Sequence, residues 1–144
     1  MTTVRSVLQS KGSDIWSTAP DTLVFDALKV MAEKNVGALL VMEGNQLIGI
    51  FSERDYARKV VLKGESSHNI AIRNVMTSGV ISVTPDQSIE DCMALMTGKH
   101  IRHLPVLENS KLVGMISIGD IVKALISQHE DTIKQLENYI TGKR

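Results

Sequence analysis

Displaced by 65 residues, the chain overlies itself without a gap: Ser17-Thr18-Ala19-Pro20-Asp21 falls on Ser82-Val83-Thr84-Pro85-Asp86. Leu47-Ile48-Gly49-Ile50-Phe51-Ser52-Glu53-Arg54-Asp55 falls on Leu112-Val113-Gly114-Met115-Ile116-Ser117-Ile118-Gly119-Asp120. Between them Asp26 matches Asp91, Met31 matches Met96 and Val41 matches Val106. A unit written twice implies two copies of one small fold, packed about a pseudo-two-fold axis with a ligand-sized cleft where they meet. Each copy is too short to be comfortably stable alone, so mutual burial is expected.

Composition narrows the function classes. The 144 residues carry 16 basic and 16 acidic side chains, a net charge of zero, so no electrostatic footprint for nucleic acid or an acidic membrane is visible. The apolar run Val36 to Met42 is far short of the roughly 20 residues that a membrane span requires. The N-terminus lacks the apolar stretch of a signal peptide. The single cysteine, Cys92, excludes an internal disulfide and suits a reducing compartment, with the cytoplasm, or the equivalent lumen of an organelle, as the expected location.

Periodicity assigns the elements. Residues 3–11 have helical spacing and end at Gly12; residues 14–18 read as extended. Val24, Ala27, Leu28 and Met31 predict a helix to about Asn35, capped by Asp21 or Thr22. Residues 38–42 and 46–51 form a hairpin around residues 43–45, and a helix follows from Ser52. The second copy repeats this order, so each is β-α-β-β-α and the class is α+β, with a short N-terminal helix and an extended C-terminal one. The expected divisions are 14–64 and 80–130 for the repeats, 65–79 as a linker and 131–144 as a helical extension. Val122, Leu125, Ile126, His129, Ile133, Leu136 and Ile140 continue a seam of period about 3.5. That seam serves either to pack the helix on its own body or to contact a second copy, and Gly142 is expected to end it.

Two segments could carry chemistry. Gly49-x-x-Ser52-x-x-Asp55 and its echo Gly114-x-x-Ser117-x-x-Asp120 stand where a buried strand turns into a helix. Ser-x-x-Asp there is either a capping box or a pair of acceptors for the vicinal hydroxyls of a ribose. A cap alone needs neither the glycine nor the duplication, which keeps the ribose reading open beside it. Arg102 and His103 precede a strand containing Pro105, which suits a strand edge and leaves neighbouring carbonyls free. They are either a solvated arginine and a satisfied histidine, or donors to a phosphate. The first copy has Gly37 and Ala38 there, and Arg54 in place of Gly119, so the halves are not equivalent. No metal-ligand spacing, glycine-rich phosphate loop or catalytic Ser/His/Asp arrangement is present, so neither a metal nor an enzyme is expected. Cys92 sits on an apolar helix face and reads as a buried small hydrophobe.

The doubled Gly-h-h-Ser-x-x-Asp, Ser82-Val83-Thr84-Pro85-Asp86 with its looser counterpart at Ser17, and Arg102-His103-Leu104-Pro105-Val106 together resemble a tandem pair of cystathionine-β-synthase (CBS) domains, a Bateman module, over about residues 14–130. The resemblance implies a stand-alone regulatory module that binds an adenosine nucleotide: AMP, NAD or ATP. It places Ser117, Gly119 and Asp120 in the better site and Ser52, Arg54 and Asp55 in its partner. Arg102 and His103 would reach a phosphate, and Thr18 and Ile81, in the short first strands, would lie against adenine. It also implies a homodimer. The competing expectation is a constitutive interaction protein with an empty cleft, acting through its C-terminal helix; a third is redox control through Cys92.

Overall fold

The computed structural model describes residues 2–140 of an α+β chain. Both repeats are organised by a hairpin of strongly apolar strands. In the first, β2 (Ala38–Glu43) pairs antiparallel with β3 (Gln46–Ser52), and Gly44 supplies the positive φ that the two-residue turn requires. In the second, β4 (His103–Glu108) pairs with β5 (Lys111–Ser117), and Asn109 and Ser110 both take positive φ, the signature of a type I′ turn. The ladders share one irregularity, just after Val41 and just after Val106.

The chain divides into two units. Ile15–Ile81 form one: β1 (Ser17–Thr18) runs parallel to β2, and α2 (Val24–Lys34) buries Val24, Ala27 and Met31 against Leu39, Val41 and Phe51. A short α3 (Glu53–Tyr56) follows β3 and widens into a π-helical turn, Ala57–Val61. The other unit joins the N-terminal stretch up to Asp14 to everything from Ser82 onward. It contains α1 (Val4–Lys11), α4 (Ile89–Lys99), the β4–β5 hairpin and the long α5 (Ile118–Ile140). The extended piece around Ile81–Val83 makes only an isolated parallel bridge, Val83 to Val106, so this sheet has two strands where the first has three.

The division exposes a second internal likeness, at a shift of 68 residues: Val4-Arg5-Ser6-Val7-Leu8 against Ile72-Arg73-Asn74-Val75-Met76. Each of these segments completes the copy of the repeat that does not follow it. Val4 and Arg5 donate backbone bonds to Gln87 and Pro85, as Ile72 and Arg73 donate to Thr22 and Pro20. Arg5 pairs with Asp86 and Glu108, and Arg73 with the equivalent Asp21 and Glu43. Val4 and Val7 are buried on one side, Ile72 and Val75 on the other. Residues 65–79 therefore include part of the first repeat's core rather than a simple linker.

Two local expectations need correction. Neither Asp21 nor Thr22 caps α2: its N-cap is Leu23, without a side-chain bond. Its orphan donors Val24 N and Phe25 N are met instead by the carbonyls of Ile70 and Ser67. Nor is the edge at Pro105 free, because its carbonyl accepts from Val83 N at 3.0 Å. The expected stop at Gly142 lies outside the described residues.

Candidate functional site

In both repeats the Ser-x-x-Asp element forms a reciprocal cap. Asp55 N donates to Ser52 Oγ at 3.2 Å and Ser52 N to Asp55 Oδ2 at 2.9 Å. Asp120 N donates to Ser117 Oγ at 3.2 Å and Ser117 N to Asp120 Oδ2 at 2.8 Å. The capping role is therefore real, and it satisfies the helix-start donors of α3 and α5.

Beyond the cap the two carboxylates differ. Asp55 is only 8 % exposed, and its second oxygen is engaged: Thr77 Oγ1 donates to Oδ1 at 2.9 Å and Lys59 Nζ lies 3.2 Å from it. Lys59 also donates to the carbonyls of Val75 and Met76, locking the 72–77 segment over the motif. The Asp120 side chain is 22 % exposed. Lys11 Nζ, from the end of α1, donates to its Oδ2 at 2.7 Å, the same oxygen that Ser117 N uses. Burial pushes the Asp120 pKa up, but hydrogen bonds from Lys11 and Ser117 outweigh it and hold the carboxyl below its usual range.

The glycine of the motif has a packing explanation. A Cβ on Gly49 would meet Met76 Sδ at 2.6 Å, and one on Gly114 would meet Leu8 Cδ2 at 2.7 Å. Met76 and Leu8 are equivalent residues of the two exchanged segments. The glycine leaves room for that close approach and is no evidence for a ribose, contrary to the weight the sequence reading put on it.

Around Asp120 the remaining second-repeat candidates gather. His103 is the cross-strand partner of Ser117, and Ile118 N donates to the carbonyl of Arg102 at 2.8 Å, so Arg102, His103 and Ser117 share one end of the hairpin. His103 feels the charges of Asp120, Arg102 and Lys11; burial, with help from the two cations, holds its pKa below the ordinary histidine value. Gly119 is exposed in the first turn of α5. In the first unit Ser52 pairs with Ala38, Arg54 is exposed on α3, Thr18 pairs with Val41 at the strand's other half and Ile81 closes the unit. Lys11 and Thr77 escaped notice because only the 68-residue likeness signals that their segments reach the motifs; Lys59 had a local signal, its i,i+4 spacing from Asp55.

Cavities of about 320 Å³, beside Gly37 and Glu53, and about 230 Å³, beside Arg5 and Ser13, include none of the motif serines or aspartates. Among the described residues no cluster of three or more His, Cys, Asp or Glu could hold a metal, and no helix is long and apolar enough to cross a membrane.

A family model for the CBS domain matches residues 4–62 and 72–127. The chain belongs to the CBS-domain family. Each match starts at one of the exchanged segments, Val4 or Ile72. The chain is 41 % identical to the Arabidopsis thaliana CBS domain-containing protein CBSX3, mitochondrial, over 98 % of its own length and 73 % of that protein's. A CBS-domain structure from Burkholderia ambifaria matches with a TM-score of 0.86 at 50 % identity, over 88 % of this chain and 95 % of that one. The CBS pair of protein MJ0100, solved with 5′-methylthioadenosine and S-adenosyl-L-methionine, shares the fold (TM-score 0.74, 24 % identity, 86 % and 99 % covered).

Proposed function

We propose that this CBS pair is a regulatory module that binds an adenosine-containing ligand at the β5–α5 junction of its second repeat, taking AMP, NAD or ATP. The reading makes it a sensor rather than an enzyme, working as a homodimer in the cytoplasm and changing its affinity for a partner protein with ligand. The observation that carries it is the environment of Asp120. The bonds from Lys11 Nζ and Ser117 N both fall on Oδ2 of its carboxylate, which assigns Oδ1, beside the Ser117 hydroxyl, to a ribose diol. Lys11, Arg102 and His103 put cationic and N–H donors next to it, which suits a phosphate. Asp55, with both oxygens engaged and little exposure, is assigned a structural role. The adenosine ligands of the MJ0100 pair support the ligand class, and both carry vicinal ribose hydroxyls.

A nucleoside monophosphate has about 23 heavy atoms; at roughly 0.3 kcal/mol each, its Kd falls on the order of 10 µM. At about 100 times Kd, binding stabilises the fold by about 2.7 kcal/mol. That corresponds to a rise in Tm of roughly 5–10 °C for a chain of this size. A thermal-shift series with adenosine, AMP, ATP, NAD and S-adenosylmethionine tests the reading. A rise with at least one of them, lost in Asp120→Asn, is the expected result; no rise with any of them overturns it.

One observation favours a second reading, a constitutive interaction protein: Ile133, Leu136, Tyr139 and Ile140 on α5 are all exposed. Under it, truncation after Gln128 abolishes partner binding while adenylates leave the protein unchanged.

A further inference from the structure

α5 buries one side chain, Ile121, although it carries an apolar row along its length. Val122, Ile126, His129, Ile133, Leu136 and Ile140 alternate at spacings of four and three, the a/d pattern of a coiled coil, and all six are exposed. The row spans about 27 Å of helix. An exposed seam of this length on a regular helix calls for a second helix with the same periodicity.

The flanking residues state which helix and in which direction. We infer that α5 pairs with α5 of a second copy of this chain, antiparallel, with Lys123 against Glu137 of the other copy. In that register Val122 packs on Ile140 of the second copy, Ile126 on Leu136 and His129 on Ile133, each layer occurring twice through the two-fold axis. Lys123 and Glu137 then face one another at both ends, and Leu125 meets Tyr139 on the opposite flank. A parallel pair stacks His129 on His129 and sets Glu130 beside Leu125 and Glu137 beside Thr132, with no opposite charges in contact. The single unfavourable contact of the antiparallel register is Glu130 facing Glu130 across the axis.

This rests on the homodimer of the function proposed above, and it adds the surface, the direction and the register. The test uses the full chain in sedimentation equilibrium. Lys123→Glu turns two attractive contacts per dimer into repulsive ones and weakens dimerisation about tenfold; adding Glu137→Lys restores it. Glu130→Gln tightens the dimer. Leu136→Glu, at an exposed position where the fold itself is not at risk, abolishes it. A short bismaleimide joins Glu130→Cys to itself but not Ile140→Cys, since the e positions at 130 meet across the antiparallel axis while the two copies of residue 140 lie at opposite ends of the pair, about 27 Å apart, and meet only in a parallel one; Cys92 is buried and adds no background.

A monomer at tens of micromolar, a dimer indifferent to Leu136→Glu, or cross-linking at Ile140→Cys in place of Glu130→Cys overturns the inference. Calorimetry with AMP on the same variants separates it from the ligand reading. Lost pairing with ligand binding retained concerns α5 alone, and absent binding in an intact antiparallel dimer concerns Asp120 alone.

Discussion

Lys11 Nζ lies 2.7 Å from Asp120 Oδ2 and 2.8 Å from the carbonyl of Met115, a contact between side chains 109 residues apart. It ties the first helix of the chain to the start of the last. The same lysine thus sets the charge of the carboxylate assigned to the ligand and holds α1 against β5.

The first prediction concerns acid stability. The folded pKa of Asp120 lies below its usual value, which is about 4 in an unfolded chain. A depressed carboxylate contributes stability that is fully present above the unfolded pKa and is lost as pH falls through the folded one. Thermal melts between about pH 2 and 6 are therefore expected to show a steeper acid limb in the wild type than in Lys11→Met. Equal limbs would show that the Lys11 contact does not persist in solution.

The two motif aspartates should separate by phenotype. Asp55→Asn replaces a buried acceptor of bonds from Ser52, Thr77 and Lys59 and is expected to cost about 2–4 kcal/mol by urea unfolding. Asp120→Asn removes a partly exposed ion pair and is expected to cost about 1 kcal/mol. Equal losses would contradict the difference in their surroundings.

Gly49→Ala and Gly114→Ala both crowd an exchanged segment, at a typical overpacking cost of about 1–3 kcal/mol. Gly49→Ala is expected to be the worse. Its Cβ would also lie 3.1 Å from the Thr77 carbonyl, which is held by its bond from Ile50 N, whereas Gly114 meets only the flexible tip of Leu8. Leu8→Ala should therefore recover part of the loss in Gly114→Ala, as read by Tm.

Cys92 is fully buried, and burial, with a smaller contribution from Asp91, pushes its thiol pKa up to about 11. A maleimide at about pH 8 should leave it unmodified in the native protein and label it on unfolding. Rapid native labelling would revive redox control through this residue.

The hairpins were legible in the sequence because local rules determine them: apolar strands, two-residue turns and serine caps all act within a few residues. The exchange was not, because Val4-Arg5-Ser6-Val7-Leu8 and Ile72-Arg73-Asn74-Val75-Met76 match at 68 residues rather than 65, and each acts on a partner far along the chain. For the same reason Gly49 and Gly114 looked like ligand-site glycines, when Met76 and Leu8 account for them. The cap of α2 went unread because backbone carbonyls of Ile70 and Ser67 do the work that Asp21 or Thr22 was expected to do. At the site, sequence placed Ser117 and Asp120 together, but only the fold shows Asp55 closed off by Thr77 and Lys59 while Asp120 stays more exposed, with Lys11 and Ser117 N both on its Oδ2.

The most direct test is isothermal titration of AMP into the wild type, Asp120→Asn and Asp55→Asn. A micromolar Kd that weakens about tenfold or more in Asp120→Asn and holds in folded Asp55→Asn is the expected result, since a lost hydrogen bond to a charged acceptor is worth about 1.5–3 kcal/mol. Unchanged binding in Asp120→Asn, or no heat from the folded wild type, would contradict the assignment of Asp120 to the ribose.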